Sequence, residues 1–395
     1  MKKNPAVERE IHPVVFREPA RNGSRPVLIT GGAGFIGCNL AHRLLSMGNA
    51  VIVLDDLSRN GVERNLKWLR KTHGEHMRAE IADVRDGEAV RDAVSNARQV
   101  FHFAAQVAVT TSLDDPRRDF AVNAGGTLNV LEAIRAQADP PPLVFTSTNK
   151  VYGGLADIAL ERREGRYEPR DPVIRVHGVS EDRRLDFHSP YGCSKGTADQ
   201  YVLDYARSYG LKAIVFRMSC IYGPHQFGTE DQGWVAHFLI RAIEGSPIVL
   251  YGDGMQVRDI LFVDDLVDAF LLAQRSMDRH GGTAFNIGGG AGNTTSLLEL
   301  LDLIERIHGD SPDVAMQEWR TGDQRYYVSD TRRFQQSTGW QPRVGVKEGV
   351  TRLHDWLVDA RSHAKARARA EPARRVAAVS ALTAPSEEAQ AEGSA

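Results

Sequence analysis

Along the chain, short apolar runs alternate with longer stretches whose apolar side chains recur every three or four positions. Pro26-Val27-Leu28-Ile29-Thr30 is the first such run. A run of this kind, without polar alternation, suits a strand buried on both faces. Gly31 to Gly37 follows, then a stretch with Leu40, Leu44 and Leu45 at helical spacing, which Gly48 ends. Ala50 to Leu54, Val100 to Ala105, Leu143 to Thr148 and Ala213 to Arg217 read as further strands, and a helix is expected around Phe120 to Ala136. Strands alternating with helices imply an α/β fold whose parallel sheet is covered on both faces.

The pattern changes twice. Between Gly153 and Ser189 the sequence is polar, with scattered Glu, Arg and Pro and no steady period. Structureless loops of this length are uncommon and often serve as lids, so a long loop is expected here. From Ile221 onward the alternation is less regular. Trp234 to Ile243, Val263 to Gln274, Ser296 to Ile307 and Val346 to Val358 read as helices with short strands between them. The organisation expected is an extension over 1–25, a nucleotide-binding domain over 26–220, a smaller substrate domain over 221–359 interleaved with the first, and a tail over 360–395.

Composition narrows the class. A chain of 395 residues can bury one large core or two modest ones. Its net charge of -2, with 25% charged residues, supplies no global basic field, so no nucleic-acid partner is expected. Cys38, Cys193 and Cys220 are too few for a disulfide framework and suit reduced thiols in a cytoplasm. No apolar run has the length to cross a bilayer, and the N-terminus lacks the apolar core of a secretory signal. No His, Cys or Asp cluster has metal-ligand spacing, so no metal is expected. A soluble cytoplasmic protein is the expectation.

Candidate chemistry begins at the first strand-to-helix turn. Glycines at 31, 34 and 37 let the backbone approach a pyrophosphate, which helix N-terminal amides at Phe35 and Ile36 then hold. Asp55 ends the second strand, where a carboxylate hydrogen-bonds the adenosine ribose and repels a 2′-phosphate. NAD is therefore expected over NADP, although Arg59 nearby is a residue type that accepts that phosphate. Asp83 and Val84 sit where an adenine contact could come; Ala104 and Ala105 are small enough for close cofactor approach, and Asn123 lies in the helix that follows. Thr148 closes a strand at its carboxyl end, the side on which ligands bind in such sheets.

Ser189-Pro190-Tyr191-Gly192-Cys193-Ser194-Lys195 is where these features meet. Ser189 can cap a helix and Pro190 suits its first position. Tyr191 and Lys195 then share one helical face. An ammonium beside the phenol favours phenolate, which would tune Tyr191 for acid/base work. Taken alone, the same spacing also describes a surface helix with a half-buried Tyr.

Thr148, Tyr191 and Lys195 behind a nucleotide fingerprint resemble the extended short-chain dehydrogenase/reductases, over about Pro26 to Val358. Within them the chain is similar to the CDP-paratose 2-epimerase (CDP-tyvelose 2-epimerase) family. The shared strings include Thr148-Asn149-Lys150-Val151-Tyr152-Gly153, Leu185 to Gly196, Asp231-Gln232-Gly233-Trp234-Val235, Gln256-Val257-Arg258-Asp259 and Asp323-Gln324-Arg325. The resemblance implies a Rossmann-type doubly wound parallel sheet with a smaller C-terminal α/β substrate domain. It also implies bound NAD, a nucleotide-sugar substrate, and a homodimer or homotetramer. Thr148, Tyr191 and Lys195 would be catalytic. Gln106, Asn149, Gln232, Arg258 and Arg325 would contact substrate, the two arginines at the diphosphate. The reaction implied is inversion at C-2 of a CDP-hexose through a transient ketone. The chain departs from the family at both tails, in much of 154–180, and at Met218, where His is expected. A UDP-sugar 4-epimerase would use the same triad. A 4,6-dehydratase would carry Asp-Glu directly after the Thr, where Asn149-Lys150 stands. A non-catalytic NAD-binding regulator is the reading from another class.

Overall fold

The computed structural model describes residues 25–320 and 322–362. The extension expected over 1–25 and the tail expected over 360–395 therefore lie, but for Arg25 and 360–362, outside the described residues.

In chain order the strands are β1 (Val27–Thr30), β2 (Val51–Asp55), β3 (Met77–Ile81), β4 (Gln99–His102), β5 (Leu143–Thr148), β6 (Leu160–Arg163), β7 (Arg166–Pro169) and β8 (Ala213–Met218). They continue with β9 (Cys220–Tyr222), β10 (Ile248–Tyr251), β11 (Val257–Phe262), β12 (Thr283–Ile287), β13 (Thr294–Ser296), β14 (Val314–Gln317) and β15 (Tyr326–Tyr327). Seven of them form one parallel sheet in the order β3-β2-β1-β4-β5-β8-β12, with Ile29 opposite both Val53 and Phe101. The order reverses between β1 and β4, and the crevice beyond the carboxyl ends there is where such sheets bind ligands.

Alternate residues of each central strand enter different cores, which is why the runs carry no polar alternation. Ile29, Val53, Phe101, Val144 and Phe216 pack with the helices Phe35–Ser46, Val62–His73 and Val263–Arg275. Leu28, Ile52, Leu54, Val100 and Phe145 pack with Gly87–Ser95, Gly126–Arg135 and Ser189–Tyr209 on the opposite face.

After β8 the chain builds a second unit and returns to the main sheet at β12. In that unit β11 pairs with β13, β15 and β9, and β10 pairs with β14. Phe238, Leu239, Ile248, Ile260, Leu300, Ile304 and Leu353 fill a separate core beneath the helices Trp234–Glu244, Leu297–His308 and 346–362.

Two local expectations are corrected. The stretch after Gly153 is not a structureless lid. It holds the hairpin β6–β7 and the helix Pro172–His177, and Tyr167 donates its amide to the Met255 carbonyl at 2.9 Å. Its apolar residues Leu155, Ile158, Tyr167 and Val179 are buried but irregularly spaced, so periodicity could not reveal them. The helix expected from Phe120 begins earlier, at Pro116, whose ring suits a first helical turn. It then carries a π-turn over Ala121–Gly125 before continuing as Gly126–Arg135.

Candidate active site

One cavity of about 860 Å³ lies beyond the carboxyl ends of β1, β2, β4 and β5 and extends to the second unit. Its floor is the glycine loop. Gly31 has φ +66°, and a Cβ there would stand 2.7 Å from the Ala104 amide nitrogen; at Gly37 it would stand 2.3 Å from the Gly31 carbonyl. Only glycine fits this approach of loop, helix and β4. No side chain caps the helix Phe35–Ser46 at Gly34, and Phe35 and Ile36 of its first turn line the cavity.

Asp55 accepts the Ala33 amide at 3.0 Å and the Leu57 amide at 2.9 Å. Burial pushes its carboxyl up, and those two amides oppose the shift. Asp83 is gripped by the Arg85 guanidinium at 2.9 and 2.6 Å, which holds its carboxyl below the usual carboxylate range. Asp55, Asp83, Val84, Ala104, Ala105 and Gln106 all line the cavity.

Asn123 does not line it. Its Oδ1 accepts the Gln106 amide at 2.9 Å, and its Nδ2 donates to Ser194 Oγ at 2.9 Å and Asp119 Oδ1 at 3.2 Å. The π-turn places it as a brace between the loop after β4 and the helix Ser189–Tyr209. A second brace is His102, fully buried with its pKa lowered to about 3 by burial. Thr127 donates its hydroxyl to the Asn123 carbonyl at 2.6 Å, so it must accept from His102 Nε2–H at 3.0 Å. Nδ1 then accepts from Thr30 Oγ1 at 2.6 Å, which leaves the Thr30 oxygen to accept the Phe103 and Ala104 amides.

Among the described residues, the buried Ser147 hydroxyl has no protein partner and lines the same cavity. An orphan hydroxyl, uncapped helix amides, a carboxylate at the end of β2 and small residues after β4 fit a dinucleotide.

The helix Ser189–Tyr209 crosses the end of β5. Ser189 has φ +65° and its hydroxyl accepts the Gly192 amide at 3.2 Å, so it caps the helix that it begins. Gly196 admits the Phe187 ring, which a Cβ would meet at 2.5 Å. Tyr191, Lys195 and Thr148 are all buried and all line the cavity. Burial pushes the Tyr191 phenol up to about 12; a hydrogen bond with Thr148 and the charge of Arg59 pull it down. Lys195, expected to tune the phenol, is held by the backbone of β5. Its Nζ donates to the Thr146 carbonyl at 2.7 Å and lies 4.3 Å from the Phe145 ring centroid. Burial lowers its pKa to about 7, against the charges of Asp199 and Asp119.

The second unit supplies the other wall. Asn149 donates to Gln324 Oε1 at 3.0 Å, and Gln232 presents a buried Oε1 without a protein partner among the described residues. Arg258 donates to Asp323 at 2.6 Å and to the Val257 carbonyl at 2.9 Å. Arg325 does not reach the cavity; it is exposed, over the Tyr167 and Trp319 rings. Arg320 lines it instead, 3.8 Å over the Tyr251 ring and paired with Glu230 at 2.9 Å. Both arginines flank one short motif, and no strand or helix period there told which one faces inward. Trp234 also lines the cavity, its indole donating to Cys220 Sγ at 3.3 Å.

The chain matches the NAD dependent epimerase/dehydratase family over residues 27–288. It is 43% identical to the CDP-paratose 2-epimerase of Salmonella typhi over 343 residues, covering 84% of this chain and 98% of that one. The UDP-glucose 4-epimerase of Thermotoga maritima, solved with UDP-glucose, superposes with a TM-score of 0.73 at 32% identity, covering 85% of this chain and 99% of that one. That of Thermus thermophilus, solved with NAD, gives 0.69 at 34%, covering 84% and 98%. The chain thus belongs to the NAD dependent epimerase/dehydratase family, as an NAD-dependent nucleotide-sugar epimerase.

Proposed function

We propose that the protein inverts C-2 of a CDP-linked hexose, converting CDP-paratose to CDP-tyvelose. The observation that carries this reading is the 43% identity to a CDP-paratose 2-epimerase along nearly its whole length, against 31–33% for the UDP-glucose 4-epimerases matched over similar spans. NAD, when bound, supplies hydride acceptance and return at a carbon that has no acidic hydrogen. Gly31, Gly34, Phe35, Ile36 and Gly37 would hold its pyrophosphate, Asp55 its adenosine ribose, Asp83 and Val84 its adenine, and Lys195 its other ribose. Tyr191, in its phenolate form, takes the proton of the sugar hydroxyl and returns it to the same oxygen after the ketone has turned over. Thr148 donates to that oxygen and steadies the phenol. Arg258 and Arg320 clamp the diphosphate, and Asn149, Gln106 and Gln232 face sugar and base.

The same reading includes a cytoplasmic homo-oligomer. Leu113, Phe120, Leu128, Tyr201 and Tyr209 are exposed on the helices covering one face of the sheet, a patch suited to a second copy. Among the described residues no helix is long and apolar enough to cross a membrane.

The test is incubation with CDP-, UDP-, GDP- and dTDP-sugars, following anomeric and H-2 signals by NMR. Inversion at C-2 of the CDP-sugar is expected. Faster conversion of UDP-galactose would favour a 4-epimerase, a reading kept open by the 33% identity to the UDP-glucose 4-epimerase of Mycolicibacterium smegmatis.

A further inference from the structure

Lys150 has no part in the chemistry described so far, yet it sits between the two halves of the site. A 3-10 turn, Asn149–Tyr152, follows Thr148, and the Thr148 hydroxyl accepts the Lys150 amide at 3.2 Å. The backbone of Lys150 is thereby tied to the oxygen-binding Thr. From its other side it backs onto the catalytic helix, since a Cβ at Gly192 would stand 3.4 Å from its carbonyl oxygen. Its side chain runs towards the second unit. Nζ donates to the Gly322 carbonyl at 3.1 Å, and that is its one hydrogen bond among the described residues. An ammonium carries three donors, so two remain for whatever enters the cavity that Lys150 lines. Its charged neighbours are Arg258 of β11 and Asp323 before β15, with the Cys220 thiol of β9 beside them. Asp323 is already engaged by Arg258. A lysine pressed against an arginine, with the shared carboxylate committed, is arranged for an incoming anion and not for a structural ion pair.

The chemistry of the substrate says which anion. In a nucleotide sugar, C-2 is directly bonded to the carbon that carries the phosphate ester, whereas C-4 lies across the ring. Placing C-2 between Thr148 and Tyr191 brings that phosphate towards Thr148, the residue to which Lys150 is tied.

We propose that Lys150 is a specificity-determining residue whose ammonium grips the phosphate esterified to the anomeric oxygen, so that C-2 and not C-4 lies at the reacting position. The inference rests on the C-2 reading of the reaction. Burial and the Arg258 charge lower the pKa of the Lys150 ammonium to about 8. It is charged at neutral pH and loses its charge as pH rises through about 8, so its grip on phosphate weakens there.

The test compares CDP and CMP binding to the NAD-loaded full chain, for wild type, Lys150→Met and Lys150→Arg. The second phosphate of CDP stands in for the one on the anomeric oxygen. Lys150→Met should weaken CDP by about 10- to 100-fold, the worth of a charged hydrogen bond, and leave CMP unchanged. Wild-type CDP affinity should fall between pH 7 and 9 relative to that of CMP, and this fall should vanish in both variants. Lys150→Arg, which keeps a charge, should recover part of the affinity, and retained NAD reports folding in each case. Undiminished CDP affinity in Lys150→Met, or loss of CMP affinity to the same degree, would overturn the proposal. A wild type inert towards C-2 but with Lys150-dependent CDP binding supports the phosphate grip and overturns the C-2 reading alone.

Discussion

Tyr191 is buried against Thr148, with its phenol pushed up to about 12 and Arg59 and Thr148 working against that shift. A group so placed can move a proton to and from a sugar oxygen without release to solvent. Tyr191→Phe removes one oxygen and should leave fold and retained NAD intact while turnover falls by about 10² to 10⁴; turnover near that of wild type would assign the proton to another group. His102 carries a different prediction. Its folded pKa, about 3, lies below the ordinary value of 6.5, so between those values only the unfolded chain takes up the proton. The contribution of His102 to stability is complete above pH 6.5 and is lost as pH falls towards 3. Histidine NMR should show its ring as the Nε2–H tautomer without titration from pH 8 to 5. At this scale the sequence was legible where a residue type meets a motif, as at Thr148, Tyr191, Lys195 and the glycines. It was not legible where a side chain must choose a direction. Asn123 turns from the cavity to brace Gln106, and Arg320 occupies the wall that was expected of Arg325.

Elements with a clear period were readable almost to the residue. The helices expected at Trp234 to Ile243 and Val263 to Gln274 are Trp234–Glu244 and Val263–Arg275. The hairpin β6–β7 was missed because its strands are stabilised by contacts with distant segments, such as the Arg166 guanidinium on Thr294 and Glu299, and not by their own pattern. The π-turn over Ala121–Gly125 is equally silent in sequence, since Gly125 weakens a helix there without saying which turn it takes. The glycine turn is the element whose geometry is most constrained. Gly37→Ala would drive a Cβ into the Gly31 carbonyl, and a backbone atom cannot swing aside as a side-chain tip can. Overpacking of this kind costs about 1–3 kcal/mol. The variant should melt several degrees lower and release NAD on gel filtration, with mass spectrometry of the bound nucleotide as the check.

Across the whole molecule, two units meet at one cavity, and the chain threads both by returning to the main sheet at β12. The parallel sheet of the central strands followed from alternation and short apolar runs; interleaving of the second unit was expected, but not which strand returns, because β12 lies after a stretch of weaker period. If the exposed patch with Leu113, Phe120 and Tyr209 meets a second copy, light scattering should give at least a dimer, and Tyr209→Glu with Leu113→Glu should shift it towards monomer. Holding oxidation and re-reduction at one carbon within this site is what makes the protein an epimerase, and the identity of that carbon separates a 2-epimerase from a 4-epimerase. Turnover of CDP-paratose carrying deuterium at C-2 measures it directly. Slowed turnover and a label retained at C-2 in the product are expected, with a C-4 label silent. An isotope effect from the C-4 label, with none from C-2, would contradict it.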